Sequence, residues 1–265
     1  MRPAHLGIAT TLATVVAMAC VAVSASAFAP PEFGHCVKNA KHEGGVGYSN
    51  SGCTKPVEEG AKYHWVSGPG AKRGFTASGG GVALYVYSGR NHLKASPKVE
   101  CSSASTLGEY TSSDTESLEV TLSGCKMGSA SCQSEGEAAG EVMFSALDGL
   151  LVVSKHEYWG EALIRWSPAI GETLASFQCG GTSVVVSGSI LHAIKRNKML
   201  SSEAEDLKVF KEGVQTPSCY ETASPSCEGE YPLTSIGGAP GENSGLTISG
   251  TQTSEETLEA DTLLP

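Results

Sequence analysis

The sequence predicts an all-β protein: a single disulfide-stapled β-sandwich or barrel-like domain, mostly antiparallel. Three observations carry that expectation. Apolar and polar residues alternate with period two over many short segments. The 32 glycines and 12 prolines supply the turns that short strands need. The nine cysteines suit an exported domain held by bridges. The chain is 40% hydrophobic, enough for a core, and its 17% charged residues are too few for a charge-driven disordered chain.

Residues 1–27 read as a cleavable export signal. Arg2 is the positive start, residues 6–23 are apolar, and Ala25-Ser26-Ala27 offers the small-x-small pattern cut by a signal peptidase. Thr10, Thr11 and Thr14 argue against a permanent anchor, and Ala17-Met18-Ala19-Cys20 is a poor lipidation box. The expected location is secreted, extracellular or in the cell envelope, with no membrane span after cleavage. The net charge of −10 argues against nucleic acid as a partner.

Residues 28–60 form a Gly-rich N-terminal loop region in this reading, and residues 61–265 the β domain with its Ser/Thr/Gly-rich C-terminal segment. Tyr63 and Trp65 share one face of a first strand, and Ser67-Gly68-Pro69-Gly70 turns the chain. Val82, Leu84 and Val86 alternate with Ala83, Tyr85 and Tyr87, a strand apolar on both faces. Leu118, Val120 and Leu122 alternate with Glu119, Thr121 and Ser123, a half-exposed strand. The apolar stretch 142–153 is split by Asp148-Gly149, a hairpin signal. Residues 158–166 make a further strand ended by Ser167-Pro168, and 174–179 leads into a Gly180-Gly181 turn. Val184, Val186, Ile190 and Ile194 then lie on one face, and Leu246 and Ile248 mark a late strand. Residues 202–213 fit either a capped helix or a strand, and the strand is preferred.

Apart from Cys20, the cysteines are Cys36, Cys53, Cys101, Cys125, Cys132, Cys179, Cys219 and Cys227, an even set that suits disulfides. Short loops suggest Cys125–Cys132 and Cys219–Cys227, and the Gly-rich stretch suggests Cys36–Cys53. Cys101 and Cys179 remain as a long-range staple. No close Cys-x-x-Cys or His pair gives zinc spacing, so no metal and no cofactor is expected.

An ordered set of short motifs runs along the chain: Pro31-Glu32-Phe33-Gly34 with Cys36-Val37-Lys38, then Gly52-Cys53-Thr54-Lys55. Tyr63-His64-Trp65, Gly68-Pro69-Gly70, Phe75-Thr76, Gly108-Glu109-Tyr110 and Gly124-Cys125 follow. Cys179-Gly180-Gly181-Thr182, Lys198-Met199 and Thr251-Gln252-Thr253 before Glu255-Glu256 complete it. This set resembles a large paralogous family of exported β-rich proteins of soil actinobacteria for which no activity is established. The resemblance implies secretion and a β-rich domain with the first six mature cysteines. It makes Cys219 and Cys227 an addition, which favours their mutual pairing.

Motifs for chemistry are sparse. No Gly-x-Ser-x-Gly elbow is present. Ser123-Gly124-Cys125-Lys126 matches Ser-x-x-Lys without its companion motifs, and His156-Glu157 opens a zincin-like pair without a second histidine. The 28 acidic residues leave a carboxylate pair invisible to sequence alone. The informative side chains are aromatic. Trp65, Tyr85 and Tyr87 are the candidate ligand-binding residues, because flat rings on a sheet stack on sugar rings, while Trp159 and Trp166 lie on opposite faces of their strand. The leading expectation is a non-catalytic binding module for a polysaccharide or cell-envelope polymer. A structural or self-associating surface protein and a carboxylate-based hydrolase are the alternatives.

Overall fold

The computed structural model describes residues 31–38, 47–86, 97–154, 162–193, 200–207, 219–220 and 232–261. Among these residues there is no helix, and every strand pairing is antiparallel. The first strands are β1 (Glu32–Lys38), β2 (Gly47–Tyr48), β3 (Pro56–Val57) and β4 (Tyr63–Ser67). They form a small sheet in the order β1-β4-β2-β3. The segment read as a loop region thus supplies three strands, anchored by the Cys36–Cys53 bridge.

Next come β5 (Gly74–Val86), β6 (Pro97–Tyr110), β7 (Thr115–Ser123), β8 (Lys126–Met127), β9 (Ala130–Ser134) and β10 (Val142–Met143). They are followed by β11 (Leu147–Ser154), β12 (Ala162–Pro168), β13 (Thr173–Cys179), β14 (Thr182–Ser187) and β15 (Ile190–Ala193). The chain closes with β16 (Leu200–Leu207), β17 (Cys219–Tyr220), β18 (Leu233–Ile236) and β19 (Glu242–Asp261). The large sheet runs β16-β19-β5-β6-β7-β11-β12-β15. A third sheet runs β9-β13-β14-β18. β19 joins all three: it pairs with β18 at its start, with β5 and β16 along its middle, and with β1 at Glu259–Asp261.

One end of the large sheet packs on the third sheet as a sandwich. Val82, Leu84, Val99, Leu122 and Leu246 from one side meet Ala175, Phe177 and Val186 from the other. The gap they leave is about 20 Å³, wide enough for one water but lined by apolar side chains, so it is a dry packing defect. At its other end the large sheet curls. Trp166 of β12 lines a cavity of about 30 Å³ with Ala77, Gly79, Ala104, Ile248 and Gly250 of β5, β6 and β19, which lie across the sheet. The sheets do not close into a barrel.

Several expectations are corrected here. Asp148-Gly149 is no hairpin turn: both residues lie inside β11, where Gly149 pairs with Glu116 and Trp166. The glycine is there because a Cβ would stand 2.5 Å from Glu116 Cγ and 3.0 Å from Ile164 Cγ2. Val184 and Val186 lie on a different strand from Ile190, since β14 ends at Ser187 and β15 begins at Ile190, and Ile194 lies outside the described residues. Residues 200–207 form a strand, and 208–213 lie outside the described residues.

The bridges other than Cys36–Cys53 also differ. The structure joins Cys101 to Cys125 and Cys132 to Cys179, rather than Cys125 to Cys132 and Cys101 to Cys179. Cys125 and Cys132 are neighbours across the β8–β9 hairpin, and the Cys132 N–H donates to the Cys125 carbonyl. Each thiol instead bonds to a cysteine brought alongside by another strand, Cys101 of β6 and Cys179 of β13, with Cα separations of 3.9 and 4.0 Å. Cys227 lies outside the described residues, and with it the Cys219–Cys227 pairing. The three bridges are consistent with an oxidising, extracellular location.

Candidate functional site

Alternation along β1 sorts its residues into two rows. Phe33 turns inward, buried against Tyr110 with ring centroids 4.9 Å apart. Glu32, Gly34, Cys36 and Lys38 therefore lie on the opposite, outer face. On β4 the residues opposite them are Ser67, Trp65 and Tyr63, facing Gly34, Cys36 and Lys38 in turn. Tyr48 of β2 pairs with Tyr63 and extends this aromatic row.

Trp65 is half-buried and bonds a glutamate that a serine in turn holds. Its indole N–H donates to Glu32 Oε1 at 2.6 Å, and the Ser67 hydroxyl donates to Glu32 Oε2 at 2.6 Å. The indole ring lies against the backbone of Gly34, where an added Cβ would meet Trp65 Cζ2 at 2.2 Å. The ring is thus a platform locked to the sheet, with a carboxylate at its edge. A carboxylate oxygen has two lone-pair sites, so each Glu32 oxygen keeps one for a further hydroxyl donor.

The other aromatic candidates do not join this platform. Tyr85 is half-buried on β5 opposite Gly245 and Pro97. It lies ten residues along the strand from Phe75, which stacks with Tyr110 at the Trp65 end of the molecule. At the usual rise per residue that is about 30 Å. Tyr87 and Trp159 lie outside the described residues.

A second tryptophan–glutamate pair sits inside the curled sheet. The Trp166 indole N–H donates to Glu116 Oε1 at 2.7 Å across Gly149, and both side chains are buried. His192, 2% exposed, stacks on Trp166 with centroids 4.9 Å apart. Neither ring nitrogen of His192 has a hydrogen-bond partner among the described residues. Burial lowers its pKa from 6.5 to about 4, so the ring is neutral at ordinary pH.

The two cavities described above, about 20 and 30 Å³, are too small for a sugar ring, and among the described residues no group of three or more His, Cys, Asp or Glu could hold a metal ion. Ser123 and Lys126 of the Ser-x-x-Lys match lie on either side of the turn at Gly124, and no hydrogen bond joins their side chains. His156 and Glu157 fall outside the described residues. No described helix is long and apolar enough to cross a membrane.

The sequence singled out Trp65 but not Glu32 or Ser67, its two partners in the site. Glu32 lies more than thirty positions from Trp65, and the signal that could have found it is the Glu32, Gly34, Cys36 alternation with its gap for a ring. Compared with known family models, curated proteins and solved structures, the chain matches none.

Proposed function

We propose that the chain is an exported binding module that recognises a polysaccharide or cell-envelope polymer and does not cleave it. The observation that carries this reading is the Trp65 platform: a half-buried indole that lies against Gly34 and donates to Glu32, whose other oxygen accepts from Ser67. A ring already fixed loses little rotamer freedom on binding, and the remaining lone pairs of Glu32 suit sugar hydroxyls. Tyr63, half-buried one residue pair along, widens the apolar surface.

The test is to express residues 28–265 in oxidised form and co-sediment them with insoluble cell-wall and plant polymers, assaying the supernatant for released sugar. Pelleting without release is expected, with Trp65→Ala weakening it at least tenfold. Release of sugar would turn the reading towards carboxylate hydrolysis. Neither pelleting nor release would leave a structural surface protein in front.

A further inference from the structure

We infer that the Trp65 platform selects a polymer whose sugars carry free, protonated amines: an amino-sugar polysaccharide with unacylated nitrogen. The inference rests on the binding reading above and adds to it the charge and chemical class of the ligand.

The starting observation is a carboxylate without a counter-charge. Glu32 is half-buried, and its two oxygens accept from neutral donors, the Trp65 indole N–H and the Ser67 hydroxyl, each at 2.6 Å. Among the described residues no Lys, Arg or His forms an ion pair with it, not even Lys72 or Arg73, exposed in the loop that follows β4. The cations of the small sheet itself, Lys38, Lys55 and Lys62, stand level with Tyr63 or beyond it, at the far end. Lys38 is six residues from Glu32, about 20 Å along the strand. His35 and His64 belong to the inner row with Phe33, and His35 Nδ1 bonds the Gly68 carbonyl at 3.0 Å. Register adds to the negative charge at the Glu32 end: β19 sets Asp261 opposite Glu32 and Glu259 opposite Gly34. Three acidic positions thus meet on two neighbouring strands.

The second observation is how the indole lies. Trp65 pairs with Cys36, yet its ring reaches over Gly34 to Glu32, so it leans towards the acidic end and away from Lys38. The backbone of Gly34 covers one side of the ring, and the half-buried ring keeps part of its surface in solvent. An indole attracts a cation over its face more strongly than any other aromatic side chain does. Here that attraction and the charge of Glu32 act at one place. In an amino sugar stacked flat on the ring, the C–H face covers the indole while the amine projects from the rim, where Glu32 stands at the indole edge. The ammonium then donates charge-assisted hydrogen bonds to the remaining lone pairs of Glu32 and supplies the missing counter-charge. An N-acetylated sugar puts a neutral amide at the same rim, and an anionic sugar brings a like charge to Glu32. A lysine side chain has the charge but lacks the ring that covers a flat platform.

The experiment compares pelleting isotherms of the full mature, oxidised chain on cross-linked chitosan and on the same material after N-acetylation, in mildly acidic buffer where the amines carry protons. Wild type is expected to bind chitosan at least tenfold more tightly. Glu32→Gln, with unchanged circular dichroism, is expected to lose that preference while holding the acetylated polymer within about twofold of wild type. Glu119→Gln, which removes an exposed carboxylate from β7, is the charge control and should behave as wild type. If Glu32→Gln fails to fold, Trp65→Ala decides the question: its net charge is that of wild type, so a tenfold loss on chitosan places the preference at the platform. Equal wild-type pelleting on both materials, weakened on both by Trp65→Ala, would overturn the amine selection and leave the binding reading standing. A chitosan preference that survives in both Glu32→Gln and Trp65→Ala would trace it to the general attraction of an acidic chain and overturn the inference. Displacement from chitosan by oligolysine at lower concentration than by glucosamine oligomers would assign the site to a basic peptide and overturn it as well. Absence of pelleting on these materials and on every other polymer would overturn both readings.

Discussion

The molecule contains the same small device twice, with opposite surroundings. In each, an indole N–H donates to a glutamate oxygen and a glycine in the adjacent strand makes room: Trp65, Glu32 and Gly34 in the small sheet, Trp166, Glu116 and Gly149 in the large one. The bonds are nearly equal in length, 2.6 and 2.7 Å. Burial separates them. Trp166 and Glu116 are 7% and 2% exposed, whereas Trp65 keeps part of its surface in solvent. The inner pair is a core element sealed from water, whereas the outer pair keeps part of its ring and carboxylate in solvent, where a ligand can reach it.

The largest expected contrast comes from removing each ring. Trp166→Ala should cost about 4 kcal/mol of unfolding free energy, the usual range for a buried aromatic. Trp65→Ala should cost about 1 kcal/mol, in line with a site that can rehydrate. Urea unfolding of both variants measures this, and equal losses would erase the distinction.

Next in size is the response to acid. His192 in the unfolded chain takes up its proton near pH 6.5, but in the folded protein only near 4. Its depressed pKa means that stability is intact above pH 6.5, declines as the pH falls to about 4 and levels off below. The full decline is about 3 kcal/mol. His192→Leu should flatten this part of the stability curve, and an unchanged acid profile would show that the ring is not its source.

The smallest contrast lies in the glycines. Gly149→Ala forces a Cβ to within 2.5 Å of Glu116 Cγ in a closed core, with an expected cost of about 3 kcal/mol. Gly34→Ala meets Trp65 at 2.2 Å, yet the half-buried ring can tilt outward, so about 1 kcal/mol is expected together with weakened polymer binding. Thermal unfolding alongside pelleting reads both.

The sequence made the all-β class legible wherever large apolar residues alternate, as in Leu118 to Leu122 and Val82 to Val86. It hid β6, because that strand turns Ala104 and Gly108 inward and its small residues give little periodic signal. It misassigned Asp148-Gly149 because the local turn preference of Asp-Gly is overridden by a steric need set by Glu116 and Ile164 on neighbouring strands. The disulfides failed for a related reason: closeness in sequence does bring Cys125 beside Cys132, but partner choice is made across the next strand. Trp65 was visible as a residue type, while its Glu32 contact depended on sheet register.

The most direct measurement follows the indole N–H resonances of the ¹⁵N-labelled protein during titration with soluble fragments of the polymer that pellets it. The Trp65 indole, assigned by its loss in Trp65→Phe, is expected to shift saturably while the Trp166 indole stays in place. A shift confined to Trp166, or binding that leaves the Trp65 indole unmoved, would contradict a recognition site built on Trp65, Glu32 and Ser67.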